Sequence, residues 1–385
     1  MAQFAIQNAQ VLLDGAFRRT AVIIDDDGFI ASVGDAVPAG CGILDAEGLK
    51  LIPGFFDNHT HGCMGIDFNS ASAEDIVQAA AQYASWGVTG FLPAVMTDAP
   101  DVMRRQAARC AEAALDRGCA AVRGIHLEGP FLSAAYKGAM PEQFLLAPDY
   151  DFFMELQEAA RGMIRVVTIS PELDGSVEFT RKVSRQGVRV SLGHSSASYE
   201  QAMACIDAGA ASTTHTMNAM KLLHMHDPAI LTAVLESDIF CEMICDGFHL
   251  HPPIVRLLLK IKGTQRMIPV TDSMMAAGYP DGLYMLGVNK VKVENGDAKL
   301  VENGVRAGST LTMQKALLNI LSFTGLSLER VIEMMSANAP QMLGLFDTTG
   351  SIAAGKRADL VLLDAHNTVT AAFVQGRQVY AAQPQ

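Results

Sequence analysis

The chain has 385 residues, 50% of them hydrophobic and 18% charged, with a formal net charge of −12 and a pI near 5.3. This is globular composition with material for a large core, and the absence of a basic cluster sets nucleic acid aside as a partner. An anionic small substrate stays open, because a local site can be positive on an acidic protein.

Other exclusions concern compartment. No apolar run reaches the roughly 18 residues of a membrane-spanning helix, and the N-terminus lacks a basic region followed by an apolar core. The seven cysteines, Cys41, Cys63, Cys110, Cys119, Cys205, Cys241 and Cys245, are dispersed, odd in number and without a CxxC pair. A protein of the reducing cytoplasm is expected, with no membrane partner.

Residues 1–52 hold short alternating segments, "FAIQNAQVLL", "AVIIDD" and "FIASVG", broken by Asp and Gly. These read as antiparallel strands. The same texture returns at the C-terminus in "ADLVLLD", "VTAAFVQG" and "RQVYAA". The expectation is one small β domain from both ends, residues 1–52 plus 346–385, flanking a catalytic domain over 53–345.

The middle alternates differently. Apolar strand candidates recur at Leu51–Phe56, Thr89–Val95, Val122–Leu127, Ile164–Ile169, Val188–Leu192, Ala211–Thr214, Ile239–Ile244 and Met267–Val270, and most intervening stretches have helical character. Eight strands alternating with helices predict a parallel (β/α)8 barrel of the TIM type. Residues 283–305 read as a β-rich insertion after strand eight.

In such barrels chemistry sits at the C-terminal strand ends. Strand one leads to His59 and His61, two residues apart and so on one strand face. Spacing alone leaves open a metal pair or two unrelated histidines. Strand three ends at Glu128 in "HLEGP", strand five at His194 in "LGHS", strand six at His215 in "TTHTMNAM" and strand eight at Asp272 in "VTDS". Each alone has an ordinary structural reading as a hydrogen-bonded histidine, a turn or a helix cap. Together they bring potential ligands from five strands to one rim, and imidazole with carboxylate suits zinc or iron. His249, after strand seven, is expected to face the same rim. His126 reads as a core or rim histidine, and His251 and His366 carry no role. His224 and His226 lie in the loop "KLLHMHDP", for which a solvated loop and a substrate role both stand.

These residues resemble a known family. "PGFFDNHTHG" is similar to the strand-one metal motif of the amidohydrolase superfamily. "HLEGPFLS", "LGHS", "THTMNAM", "DGFHL", "VTDSMMAAG", "AGSTLTM", "NAPQMLGL" and "GSIAAGKRADLVLLD" resemble the N-acetylglucosamine-6-phosphate deacetylases in particular. The resemblance implies a barrel with a small β-sandwich, a homodimer, and hydrolysis of the acetamide of a phosphorylated amino sugar. It implies a divalent metal, zinc first and iron second, one or two per subunit. The metal ligands would be Glu128, His194 and His215, with His59 and His61 placing the chain beside the members that hold two. Asp272 would be the acid/base, taking a proton from the attacking water and returning it to the departing nitrogen. Asn218 and Ala219 would meet the substrate through the backbone, and His249 through its side chain.

Two positions depart from that pattern. Met140 stands where many members carry a substrate-contacting histidine. His226 stands where many carry an arginine that reaches the phosphate in the neighbouring subunit. An arginine gives a permanent bidentate grip, whereas a histidine offers at most one charged donor. The alternatives are a related N-acyl amino sugar (another epimer, or no phosphate) and another amide hydrolase of the superfamily. Those often use a strand-four lysine, and "MIRVVTISPE" has none. A non-catalytic binding barrel would have no use for Asp272 beside five metal ligands.

Overall fold

The computed structural model describes residues 4–116 and 118–383. Residues 1–3, Arg117 and 384–385 fall within the expected terminal domain and the helix after strand two, and lie outside the described residues.

Eight parallel strands form the barrel: β1 (Phe55–Thr60), β2 (Val88–Met96), β3 (Ile125–Glu128), β4 (Ile164–Ile169), β5 (Arg189–Leu192), β6 (Ala210–Thr213), β7 (Phe240–Ile244) and β8 (Met267–Val270). They pair in chain order from β1 to β8. The seam between β8 and β1 is joined just past the strand ends, where Asp272 N donates to His59 O at 2.9 Å and His61 N to Ser273 O at 2.7 Å. Both strand faces are covered, so β1 and β2 are buried along their whole length, and β2 reads as a mostly apolar run. Helices pack outside. Ser72 and Ser198 start two of them with complete capping boxes, to Asp75 and Gln201, each satisfying two otherwise unpaired N–H groups.

Two expected strands differ in detail. The run Leu51–Phe56 is two strands, because Lys50–Pro53 belongs to a different sheet and β1 begins at Phe55. The chain changes sheet at Gly54, where a Cβ would run into Thr89. Val122–Leu127 is likewise broken. Ala121–Val122 pairs with Gly90 and Phe91, and β3 resumes after Gly124, where a Cβ would meet the Arg165 side chain.

The termini meet in one eight-stranded sheet. Its order runs Arg377–Ala381, Val369–Val374, Leu360–Leu363, Lys50–Pro53, Phe4–Leu13, Ala16–Ile24 and Ile30–Val33, with Gly42–Asp45 beside Phe4–Leu13. Alternation along its strands divides two cores. Leu51, Leu360, Leu362 and Phe373 join Ile6, Val11 and Val22 in the sheet's own core. Ile52, Val361, Leu363 and Ala372 face the other way, into the barrel's helical shell.

The insertion is a three-stranded antiparallel sheet, Gly282–Leu286, Asn289–Glu294 and Asp297–Leu300. Its Leu286, Val291 and Val293 pack with Met96, Leu132, Met140 and Met274, which fixes it as a wall over the C-terminal mouth of the barrel. No helix among the described residues is long and apolar enough to cross a membrane.

Candidate functional site

At the C-terminal mouth the strand ends deliver His59, His61, Glu128, His194, His215 and Asp272 to one point, each with no more than 6% of its surface exposed. Glu128 is central. Its Oε1 lies 3.1 Å from both His194 Nε2 and His215 Nε2 and 3.6 Å from His59 Nε2, and its Oε2 lies 3.3 Å from His61 Nε2. Asp272 Oδ1 is 3.0 Å from His61 Nε2 and 3.6 Å from His59 Nε2. His194, His215 and Asp272 all have left-handed backbone, with φ of 49°, 31° and 49°. Such conformations cost non-glycine residues energy and gather where a side chain must be aimed.

The donor set fits a divalent cation. His59 and His61 aim their Nε2 atoms at each other across 3.2 Å, and His194 and His215 do the same across 3.1 Å. Two imidazole nitrogens in that arrangement need a proton or a cation between them. Two triads that share Glu128 have this character, His59–His61–Glu128 and Glu128–His194–His215, and their nitrogen and carboxylate donors suit zinc.

A support lies under the rim. Glu242 on β7 is fully buried. It accepts from Asn58 Nδ2 at 2.6 Å, pairs with His59 Nδ1 at 3.0 Å and accepts the backbone N–H of His215 at 3.0 Å. It therefore fixes which way the His59 ring faces and where the His215 backbone sits. On the other half-site, His194 Nδ1 donates to Tyr136 O at 2.9 Å. His126 lies beneath His59, bonded to Asn58 O and Thr168 Oγ1, as a core histidine.

Charge follows this geometry. Burial opposes a proton on His61, but hydrogen bonds to Asp272 and Glu128 outweigh it and raise the pKa to about 9. His59 is raised too, with the charges of Glu128, Glu242 and Asp272 prevailing over burial. Burial likewise opposes ionisation of Asp272, but the His59 charge and the His61 hydrogen bond win and lower it to about 2. Burial and the His59 charge push His126 down to about 4, so it stays neutral. Burial alone lifts Asp57, bonded to Thr271 beneath the site, to about 7.

A testable consequence concerns metal loading. Without a cation, His61 holds a proton below about pH 9, and a ligating imidazole must give that proton up. Loading chelator-stripped protein with zinc near neutral pH is therefore expected to release protons, and apparent affinity is expected to climb as pH rises toward about 9. Indicator-dye titration in weak buffer reads the release. Metal uptake without proton release would place the cation away from His59 and His61.

The cluster opens into a cavity of about 450 Å³, lined among others by Met140, Asn218, Ala219, His249 and Asp272. Met140 is buried and serves the insertion's core as well as the cavity wall. His249 Nδ1 is held by Asp246 Oδ2 at 2.6 Å. His226 differs from the rest: it is exposed and is not part of this chain's cavity wall. Its loop projects outward with Leu222, Leu223 and Met225 exposed, and its Lys221 is paired with Asp227.

Three contributors escaped sequence reasoning. Glu242 had a signal, a lone carboxylate inside the buried strand "FCEMI". Lys137 and Arg306 had none, because each sits in loop sequence and reaches the cavity only through the fold.

Comparison with known proteins bears on this site. The amidohydrolase family pattern matches residues 51–379. The chain is 35% identical over 354 residues to N-acetylglucosamine-6-phosphate deacetylase of Lysinibacillus sphaericus, covering 91% of each chain. It is 33% identical over 353 residues to N-acetylgalactosamine-6-phosphate deacetylase of Escherichia coli O157:H7, covering 91% of this chain and 92% of that one. The fold is similar to that of a Mycobacterium smegmatis N-acetyl-D-glucosamine-6-phosphate deacetylase mutant solved with N-acetyl-D-glucosamine-6-phosphate. The TM-score is 0.90 at 32% identity, over 98% of this chain and 100% of that one.

Proposed function

The chain belongs to the amidohydrolase family, and from that premise we propose that it is a metal-dependent deacetylase. It removes the N-acetyl group of N-acetylglucosamine 6-phosphate to give glucosamine 6-phosphate and acetate. The observation that carries this reading is the buried His59–His61–Glu128–His194–His215 cluster with Asp272 at the floor of one cavity. The names of the relatives support the substrate class.

In this reading Glu128, His194 and His215 hold one divalent ion, zinc by preference, and His59, His61 and Glu128 hold a second. When bound, the metal polarises the acyl carbonyl and acidifies water, which an unreactive amide requires. Asp272 enters the reaction as a carboxylate. It takes the proton of the attacking water and then delivers it to the departing nitrogen, so one group serves as base and then acid. Glu242 keeps the His59 ring in register throughout. Asn218 and Ala219, on the turn that follows His215, and His249, braced by Asp246, meet the sugar phosphate.

The enzyme acts as a cytoplasmic homodimer. Dispersed free cysteines support the compartment, and the exposed apolar tip Leu222, Leu223 and Met225 supports a covered surface. The galactosamine-type relative at similar identity keeps the other epimer as the second reading. Acetate release from the two 6-phosphorylated N-acetyl sugars, compared by kcat/KM, tests both. Higher turnover of the glucosamine form is expected. The opposite order reassigns the epimer, and no release from either rejects the function.

A further inference from the structure

We infer that Arg306, on the segment joining the insertion to the barrel, is this chain's own anchor for the anionic 6-substituent of the sugar. The inference rests on the deacetylase reading above and names a specificity-determining residue within it.

Among the described residues that line the cavity, Lys137 and Arg306 are the lysine and arginine. Lys137 is turned back onto its own loop, with Nζ donating to Met140 O at 3.3 Å. Arg306 is differently placed. Its Nε and one terminal nitrogen bond Asp297 at 2.8 and 3.0 Å, which leaves the other terminal nitrogen for a ligand. Asp297 does not cancel the charge, because it is shared with Lys299 Nζ at 2.6 Å. Asp246, a second acid near Arg306, is committed to the ring and backbone of His249 and to Phe248 N. A guanidinium held in place by a carboxylate, with a donor left open on the cavity wall, is suited to a phosphate by its chemistry.

Position agrees. Ser309, three residues beyond Arg306, is tied to Asp272 through Ser309 N to Asp272 O at 2.7 Å. The Arg306 backbone therefore lies within roughly 15 Å of that of the acid/base by chain reach. The acetamide on C2 and the group on C6 sit at opposite sides of a pyranose ring. A substrate whose amide faces Asp272 thus extends its phosphate toward a wall at about this range. The exposed His226 lies outside this subunit's own wall, so within one subunit Arg306 is the charge that faces the substrate.

The test measures kcat/KM for N-acetylglucosamine with and without the 6-phosphate, at pH 6 and pH 8, and reads the ratio. Wild type is expected to prefer the phosphorylated sugar at both pH values, since a guanidinium does not titrate there. Arg306→Met is expected to cut the ratio about tenfold or more, and Arg306→Lys to restore part of it. Glu302→Gln, exposed on the same turn, and His226→Ala are expected to keep it. An unchanged ratio in Arg306→Met, or equal loss on both sugars, overturns the assignment. Collapse of the ratio in His226→Ala, or in wild type at pH 8, moves the phosphate contact to histidine and overturns it as well. Failure of wild type to release acetate from either sugar is a separate outcome that rejects the underlying function.

Discussion

Replacing Asp272 with asparagine is expected to lower kcat by about 10²-fold or more while leaving metal content near that of the wild type. The carboxylate stands 3.0 Å from His61 and borders the cavity, so asparagine preserves the volume and one acceptor oxygen. What it removes is the capacity to take up a proton. The substitution separates two roles that overlap in space: a proton carrier loses turnover, whereas an indispensable metal ligand loses metal. Elemental analysis beside steady-state kinetics distinguishes them. Near-normal turnover in Asp272→Asn would reduce the residue to a structural tie between β8 and β1.

The second large effect is at Glu128. One carboxylate faces all four histidines, at 3.1 to 3.6 Å, and belongs to both triads. Glu128→Gln is therefore expected to lose most of both metal equivalents and, with them, activity. The double variant His59→Asn/His61→Asn dismantles one triad and leaves the other, so it is expected to lose one equivalent only. Equal stoichiometry near one in wild type and in that double variant would remove the second metal from the account. A Glu128→Gln protein that keeps its metal would show that the histidines suffice without the shared carboxylate.

The rim was legible because a barrel writes its chemistry in a regular place. Buried strand runs stop, and the histidine or carboxylate at or just past the end is the one at the mouth. His194 and His215 could be located this way without knowing any contact between them. Breaks within runs were not legible. "LIPGFF" is apolar throughout, and nothing local shows that Pro53 ends one sheet and Phe55 begins another; the cause is Thr89, distant in sequence and pressed against Gly54. Partners set by long-range packing were hidden for the same reason. Arg306 looks like any loop arginine until the insertion folds over the mouth and Asp297 fixes its side chain. Glu242 matters through groups on two other strands, His59 and the His215 backbone.

The passage from Lys50–Pro53 into β1 has a thermodynamic consequence. Lys50–Pro53 lies between Phe4–Leu13 and Leu360–Leu363 in the terminal sheet. Across Gly54 the same chain becomes the strand that carries His59 and His61. A cation bound by those histidines favours only the form in which β1 is seated, and a ligand specific to the folded form stabilises it by mass action. That protection travels along the backbone into strands contributed by both chain ends, although no described residue of those terminal strands is among the ligands at the centre. Fraying of the N- and C-terminal strands, read by hydrogen exchange or limited proteolysis, thus becomes a remote gauge of occupancy at the mouth of the barrel.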